Sequence, residues 1–179
     1  QPQLLSKVKK SGKYGYITQA GTFLIPAEFD ELKLSNQDII SAKQKKKYGF
    51  FDQNGKNIIP VIFDEVRTVQ DDQIAVKMND KWGFYDKSGK VTLPVEFDDV
   101  REFASGFVAA KKDRAWKYYD KSGKIAIEGP FDDAANFHEG FARVKKDDKW
   151  GFIDLQGKLV VPYRYKDAAD FSEGLAAVK

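Results

Sequence analysis

Acidic side chains recur at fixed points along this sequence, and their recurrence raises calcium binding and paired-carboxylate catalysis as possible chemistry. Their spacing lacks the alternating acidic ladder of a calcium loop, and an aspartate beside a turn commonly accepts backbone hydrogen bonds. We therefore expect these acids to hold turns rather than metal ions. The turn acids are Asp52, Asp86, Asp120 and Asp154, and the acid pairs are Asp98–Asp99 and Asp132–Asp133.

The other residue types that carry catalysis are scarce. His138 is the only histidine and there is no cysteine, so a metal site would need several carboxylates around one imidazole, and no serine lies in a nucleophile motif. Neither a phosphate-binding loop nor a dinucleotide fingerprint is present. The sequence predicts no catalytic residue, no metal and no cofactor, and hence a protein that is not an enzyme.

The chain consists of repeats, which are described below, and lysines cluster in each repeat between its first two predicted strands. Stacked, these segments would form a lysine-rich edge, with the acidic motif Asp64–Glu65 and its equivalents expected to lie away from it. Such an edge could bind an anionic glycan or another polyanion, although a solvated rim that discourages strand-edge aggregation has the same appearance. The candidate binding edge comprises Lys45, Lys46, Lys111, Lys112, Arg114, Lys145 and Lys146.

Bulk composition narrows the class of protein. The 179 residues carry a formal net charge of only +3, so whole-molecule charge does not predict nucleic-acid binding. No apolar run approaches the roughly 18 residues of a membrane span, and none is predicted. The start at Gln1 fits a mature protein that has lost a signal peptide and equally fits a fragment. We expect an extracytoplasmic location, with the cytoplasm left open.

A repeat of 34 residues organises the whole chain. An aromatic residue followed by glycine recurs at this spacing, with one exception in the fourth copy. The repeat-defining positions are Tyr14–Gly15, Tyr48–Gly49, Trp82–Gly83, Trp116–Lys117 and Trp150–Gly151. We predict one repeat domain over 1–179, with units at about 5–38, 39–72, 73–106, 107–140 and 141–174, plus an extra first strand at 175–179.

Each unit is predicted to be an antiparallel meander of about three strands, with a short fourth strand possible. In 82–86 and 91–97 aromatic and β-branched residues alternate with period two, which is typical of strands. Ser88–Gly89 is expected to form a two-residue turn. That register puts Trp82 and Phe84 on one apolar face with Val91 and Leu93, and it puts Gly83 opposite the proline Pro94.

The fourth unit changes both of these facing positions together. Lys117 replaces the glycine and Glu128 replaces the proline, which forms an opposite-charge pair. We infer from this covariation that the two side chains touch. The three tryptophans recur in phase, so they are expected to form core rather than exposed platforms for sugars or single-stranded bases.

The Trp-Gly dipeptide, followed by Phe-x-Asp-x-x-Gly-Lys and then Pro-x-x-Phe-Asp-Asp, resembles the bacterial WG-repeat family along the whole chain. The third and fifth units fit best, as in residues 81–90, whereas the first two use Tyr for Trp and lose the Glu-Gly pair before the first strand. The resemblance implies a β-repeat scaffold, frequent in bacterial envelope and secreted proteins, with binding or assembly roles and no shared active site.

Five antiparallel units could close into a five-bladed propeller or stack as an open, curved solenoid. Because the first strand occurs six times, we favour an open array whose sixth copy finishes the last unit. The predicted function is a non-enzymatic interaction module for a protein partner or for adjacent domains of a longer chain. The alternative is a module for cell-envelope polysaccharide or another anionic ligand. Nucleic acid is not expected.

Overall fold

The computed structural model describes residues 5–35, 38–67 and 71–179, and it confirms the all-β tandem repeat. No helix occurs in these ranges, and hence none that could cross a membrane. The strands are β1 (Ser6–Lys10), β2 (Lys13–Ile17), β3 (Phe23–Phe29), β4 (Glu31–Leu34), β5 (Ile39–Gln44), β6 (Lys47–Asp52), β7 (Asn57–Phe63), β8 (Glu65–Val66), β9 (Gln73–Met78), β10 (Lys81–Asp86), β11 (Val91–Phe97), β12 (Asp99–Val100), β13 (Phe107–Lys112), β14 (Ala115–Asp120), β15 (Ile125–Phe131), β16 (Asp133–Ala134), β17 (Phe141–Lys146), β18 (Lys149–Asp154) and β19 (Leu159–Tyr165).

The strands form five antiparallel sheets in chain order. The first contains β1–β3, and each of the other four contains a short strand followed by three long ones, β4–β7, β8–β11, β12–β15 and β16–β19. The short strand that ends each sequence unit therefore pairs into the next sheet. Sheet boundaries lie several residues away from the unit boundaries read from the sequence, because this short strand links neighbouring sheets.

The hairpin between the first and second long strands, here the first hairpin, has the tight two-residue turn. Gln44 pairs with Lys47 in the second sheet, and the tip residues Lys45 and Lys46 have φ of 49° and 65°. Positive φ at both central residues is the signature of a type I′ turn, which suits the twist of antiparallel strands. All five first hairpins share this turn, whose tips are Ser11–Gly12, Lys45–Lys46, Asn79–Asp80, Asp113–Arg114 and Asp147–Asp148.

The second hairpin has a longer turn than predicted. In the third sheet the Asp86 N–H donates to the Lys90 carbonyl at 2.9 Å and the Gly89 N–H donates to the Asp86 carbonyl at 3.0 Å, leaving a three-residue loop. Gly89 has φ of 89°, as expected for the left-handed residue after a type I turn. The predicted two-residue turn is wrong, and the predicted register holds at Phe84–Leu93 but shifts on both sides.

The register shift explains the repeated glycine after the aromatic residue. Strand β11 forms a bulge opposite Gly83. Trp82 pairs with Phe97 and Phe84 pairs with Leu93, so β11 has two more residues than β10 between these pairs. A Cβ on Gly83 would lie 2.7 Å from the Leu93 carbonyl oxygen and 2.8 Å from the Pro94 carbonyl carbon. Glycine is needed here because two backbones approach closely.

The core lies within and between consecutive sheets. Trp82, Phe84, Leu93 and Phe97 are buried in one cluster with Val100 of the next sheet. The second hairpin of each later sheet also packs on its predecessor, since a Cβ on Gly123 would contact the Thr92 carbonyl. In the described part of the chain the main packing between sheets runs from each to the next, and the sheets form no closed barrel.

The sixth copy of the first strand pairs with the segment that closes the last sequence unit, and its Ala176 packs against the core of the fifth sheet. The Ala169 N–H donates to the Ala177 carbonyl at 2.8 Å, and the Lys179 N–H donates to the Asp167 carbonyl at 2.9 Å. Residues 167–169 and 177–179 thus begin a further sheet, because a short strand always pairs forward along the chain. Leu4, which the sequence aligns with this copy, lies outside the described residues.

Candidate functional site

The lysine-rich edge exists as a set of first-hairpin tips, but acids lie among the lysines. Lys45, Lys46 and Arg114 occupy tip positions, whereas Lys111, Lys112, Lys145 and Lys146 end the strands that lead to tips. Asp30, Asp64 and Asp98 bind Lys13, Lys47 and Lys81, respectively. The prediction that the acidic motif lies away from the edge is therefore wrong, because the third strand ends beside the first-hairpin tips.

These acids also organise the tips. The Asp30 carboxylate accepts the Lys45 N–H at 2.8 Å, and Asp132 accepts the Asp147 N–H at the same distance. The hydrogen bond from Lys13 lowers the pKa of Asp30, and that from Lys47 lowers the pKa of Asp64. The edge is consequently an alternation of charges rather than a continuous cationic ribbon.

Some members of the candidate edge keep their charge available. Lys112 lies 2.7 Å from Glu96, and Lys145 lies 3.2 Å from Asp148. Among the described residues, no ion pair joins the other members to a carboxylate; these are Lys45, Lys46, Lys111, Arg114 and Lys146. An anion would meet these side chains singly rather than as a cluster.

The three tryptophans are buried, and arginines cover their remaining faces. Trp82, Trp116 and Trp150 are 6%, 3% and 9% exposed. The guanidinium groups of Arg67 and Arg101 lie 4.0 and 4.5 Å from the ring centres of the first two. Tyr14 and Tyr48, at the equivalent positions of the first two sheets, are half-buried. The tryptophan rings are not available as stacking platforms.

The arginine that covers the tryptophan lies at different places in the fourth and fifth sheets. In the fourth sheet it directly follows the short strand β12, and in the fifth it lies in the long strand β17. Arg101 faces Ala109, whereas at the next boundary Ala135 faces Arg143, as their backbone hydrogen bonds show. Arg143 covers Trp150 at 4.9 Å, as Arg101 covers Trp116. Each guanidinium also donates to a short-strand carbonyl of the next sheet, for example Arg143 to Ala168 at 3.1 Å. These arginines therefore join the sheets.

The turn aspartates accept backbone hydrogen bonds across the second hairpin. Asp120 accepts from the Ser122 and Lys124 N–H groups at 2.8 and 3.1 Å. The Ser122 hydroxyl also donates to it, and this hydrogen bond is the main cause of a lowered pKa at Asp120. Across the described ranges, no group of three acidic or histidine side chains could hold a metal ion. His138 lies 3.6 Å from Asp170.

The covarying pair is in contact. Lys117 Nζ lies 2.7 Å from Glu128 Oε2, where Lys117 is half-buried and Glu128 is exposed. The glycine lost at 117 is compensated across the strand pair, because Gly129 takes the position held by Val95 in the third sheet. A Cβ on Gly129 would lie 2.8 Å from the Trp116 carbonyl oxygen. The close backbone approach is kept, and the glycine has moved from β14 to β15.

A hollow of about 210 Å³ lies beside this pair, and we call it the fourth-unit groove. Tyr119 packs edge-on against Phe97 of the preceding sheet with ring centres 5.1 Å apart, so the groove lies at the boundary of the third and fourth sheets. Its lining residues are Lys112, Asp113, Ala115, Lys117 and Tyr119.

Sequence reasoning missed a second surface, which we call the apolar row. It consists of the first residue of four third strands, Phe23, Val91, Ile125 and Leu159, exposed to 49%, 47%, 43% and 39%. The strand pattern assigned Val91 to the buried face, but the strand end leaves it half uncovered. Comparing this position across the repeats would have identified it, since only the second sheet has a polar residue there, Asn57.

One family model matches the repeats of this chain. A family model described as WG containing repeat matches residues 14–48, 48–82, 82–116, 118–150 and 150–179, which confirms the resemblance seen in the sequence. No curated protein matches the chain.

Solved structures give more distant likenesses. A structure of Hsv2 from Kluyveromyces lactis is 13% identical with a TM-score of 0.48, and the match covers 96% of this chain and 66% of that one. The WD40 domain of SCAP from fission yeast is 12% identical with a TM-score of 0.37, covering 99% and 62% of the two chains. In a second Kluyveromyces lactis Hsv2 structure, 14% identical with a TM-score of 0.45, the match covers 89% of this chain and 60% of that one.

Proposed function

Because this chain belongs to the WG containing repeat family, we propose that it is a non-enzymatic interaction scaffold that binds a protein partner along its stacked sheets. The apolar row is the observation that carries the proposal. Four half-exposed apolar side chains occupy one position in four of the five repeats, three of them consecutive, so a partner could contact several sheets at once. Exposed apolar side chains in register favour a protein surface over a polar polymer.

The burial of the tryptophans supports the same choice. A glycan-binding array would present aromatic faces to sugar rings, whereas all three tryptophan rings are buried and covered by arginine. The turn acids hold backbone N–H groups, and the tip acids bind lysines and tip N–H groups. The remaining members of the acid pairs, Asp99 and Asp133, accept backbone N–H groups of the short strands and lie beside Arg67 and Arg101.

The test is capture of partners by the immobilised chain, with a photo-reactive residue at position 159, a member of the apolar row that no variant changes, to mark contacts. Replacing Val91 and Ile125 by Ser removes the apolar row from two neighbouring sheets. Replacing Lys90 and Lys124 by Ser is the matched control, because these exposed residues directly precede the row positions. We expect cross-linked protein with the unchanged chain and the control, and a loss with the row variant.

Salt separates this proposal from the anionic-ligand alternative. Screening weakens contacts made by the exposed tip lysines but leaves apolar contacts in place. Capture that survives high salt and depends on the row supports the scaffold. Capture unaffected by the row variant but abolished by salt, or by replacing Lys45 and Lys46 with Ser, would instead favour an anionic partner at the tips.

We also propose an extracytoplasmic location, in line with what the family resemblance implies. Cell fractionation of a tagged full-length protein tests it directly. Recovery in the cytoplasmic fraction would contradict the location without touching the scaffold proposal, because the apolar row does not depend on the compartment.

A further inference from the structure

We propose that the fourth-unit groove is a binding site for a single neutral sugar ring. The groove combines a hollow of about 210 Å³, an aromatic side chain and two ammonium–carboxylate pairs. This site is separate from the apolar row and begins at the first-hairpin tip of the fourth sheet, whose Asp113 lines it, and it does not rest on the scaffold proposal.

Two of the residues that line the groove, Ala115 and Lys117, depart from the repeat. Ala115 stands where four sheets have lysine, and Lys117 stands where they have glycine, so the fourth sheet replaces a lysine by a small side chain and adds an ammonium group two residues on. Lys112 pairs with Glu96 of the third sheet, whereas the preceding boundary has Met78 and Ile62 at these positions. Polar groups have thus replaced apolar ones across this boundary.

The groove carries charges of both signs with one acid in excess, and this arrangement indicates the class of ligand. Two ammonium groups lie beside the carboxylates of Glu96 and Glu128, and Asp113 adds a further acid to the lining. An anion would meet more repulsion than attraction. Hydroxyl groups both donate and accept hydrogen bonds, so vicinal hydroxyls match an alternation of donors and acceptors. A neutral polyhydroxylated ring therefore fits better than a phosphate or a carboxylate.

Tyr119 and Ala115 supply the apolar contact that a sugar ring needs on its C–H face. Tyr119 is half-buried against Phe97, which fixes its ring, and Lys112 and Lys117 line the groove with it. The hollow is smaller than the roughly 300–1,000 Å³ of sites for drug-sized ligands, so it accommodates one ring. Because the groove is open to solvent, we expect a dissociation constant on the order of 1 mM.

The experiment is a titration of isotope-labelled protein with methyl glucoside, followed by NMR of the backbone amides. Addition should shift the signals of Lys112, Lys117 and Tyr119 together. Replacing both Lys112 and Lys117 by Met keeps side-chain length and removes the donors, and it should weaken binding by at least about tenfold. The matched control is Lys47→Met, which removes an equivalent lysine from an ion pair at another tip and should leave binding unchanged.

A second variant guards against a folding defect in the first. Ala115→Leu narrows the groove without touching either ion pair, and it should also weaken binding while preserving the rest of the spectrum. The proposal is overturned by an absence of shifts up to about 50 mM sugar, well above the expected dissociation constant. Shifts that persist in both variants, or tighter binding of glucuronate than of methyl glucoside, would also overturn it.

Discussion

Tyr118 shows how one hydroxyl group can join two sheets. Its side chain is 1% exposed, and its hydroxyl donates to the Ala135 carbonyl at 2.7 Å, where the chain leads from the fourth sheet into the fifth. Burial raises the pKa of Tyr118, so the hydroxyl stays protonated throughout the physiological range. The equivalent positions of other sheets contain Phe50, Phe84 and Phe152, so a phenyl ring fits this position.

Tyr118→Phe should therefore remove the hydrogen bond without disturbing the packing. We expect a loss of about 1 kcal/mol in the free energy of unfolding, since the Ala135 carbonyl loses its donor. Urea unfolding of the two proteins measures this difference, with Phe84→Leu as a control for general sensitivity of the core. An unchanged midpoint would mean that water replaces the hydroxyl and that the bond does not hold the sheets together.

Single-residue features could be predicted only where the repeat itself exposes them. Lys117 and Glu128 were found because both depart from constant positions at a known strand spacing. Gly129 also departs from the repeat, but its compensating role was missed because it acts within a bulge that no sequence pattern reveals. The move of the arginine from the position of Arg101 to that of Arg143 was also missed. It depends on the pairing of each short strand with the following sheet, which is a tertiary contact that the sequence does not show.

At the scale of single elements, the first hairpin of the second sheet contains backbone strain that other residues would relieve. Its tip residues Lys45 and Lys46 both have positive φ, which glycine and asparagine tolerate better than lysine. Replacing them by Asn and Gly should raise the free energy of unfolding by about 1 kcal/mol. Thermal unfolding of the variant provides the measurement. The same pair placed at Asn79–Asp80 should gain less, because those residues already suit the turn.

The second hairpin carries a pH dependence that follows from Asp120. A lowered pKa in the folded state means that the carboxylate stabilises the fold above its unfolded pKa, about 3.9, and that this contribution is lost as pH falls through the folded pKa. Asp120→Asn should lower stability at neutral pH, and the difference from the unchanged protein should shrink below about pH 4. Unfolding across this pH range tests it, with Glu102→Gln as an exposed control. A constant difference at all pH values would exclude the charge as the cause.

At the scale of the whole molecule, substitutions of two glycines distinguish the contribution of contact between consecutive sheets to stability from the cost of turn strain. Gly21 and Gly89 occupy the same turn position with φ of 79° and 89°, but a Cβ on Gly89 would overlap the Ile58 carbonyl of the preceding sheet whereas one on Gly21 would meet nothing within 4 Å. Gly21→Ala should cost about 1 kcal/mol from backbone strain alone. Gly89→Ala should cost about 1–3 kcal/mol more. Chemical denaturation measures both, and equal losses would show that the sheets tolerate separation.

The global architecture followed from the sequence because a strict period without insertions fixes the number of units, and alternation with period two fixes their strand content. Two features did not follow. The two-residue turns were assigned to the second hairpin because Ser88–Gly89 is typical of them, whereas the structure has them at Asn79–Asp80 and its equivalents. From the second unit on, the predicted units begin several residues after the sheets do. A strand of two residues such as Asp99–Val100 is too short for its sequence pattern to indicate which strand it pairs with.

Arg101 follows a short strand whereas Arg143 lies in a long strand of the next sheet, and this difference determines which 34 residues can be deleted to shorten the protein. Deleting 107–140 would bring Arg143 opposite Arg101, and two guanidinium groups would compete for one tryptophan and one short-strand carbonyl. Deleting 99–132 also removes 34 residues, yet it keeps Ala135 opposite Arg143 and leaves a single guanidinium at the new junction. Protein engineers who wish to lengthen or shorten the array should therefore cut before a short strand, where the modular joint lies.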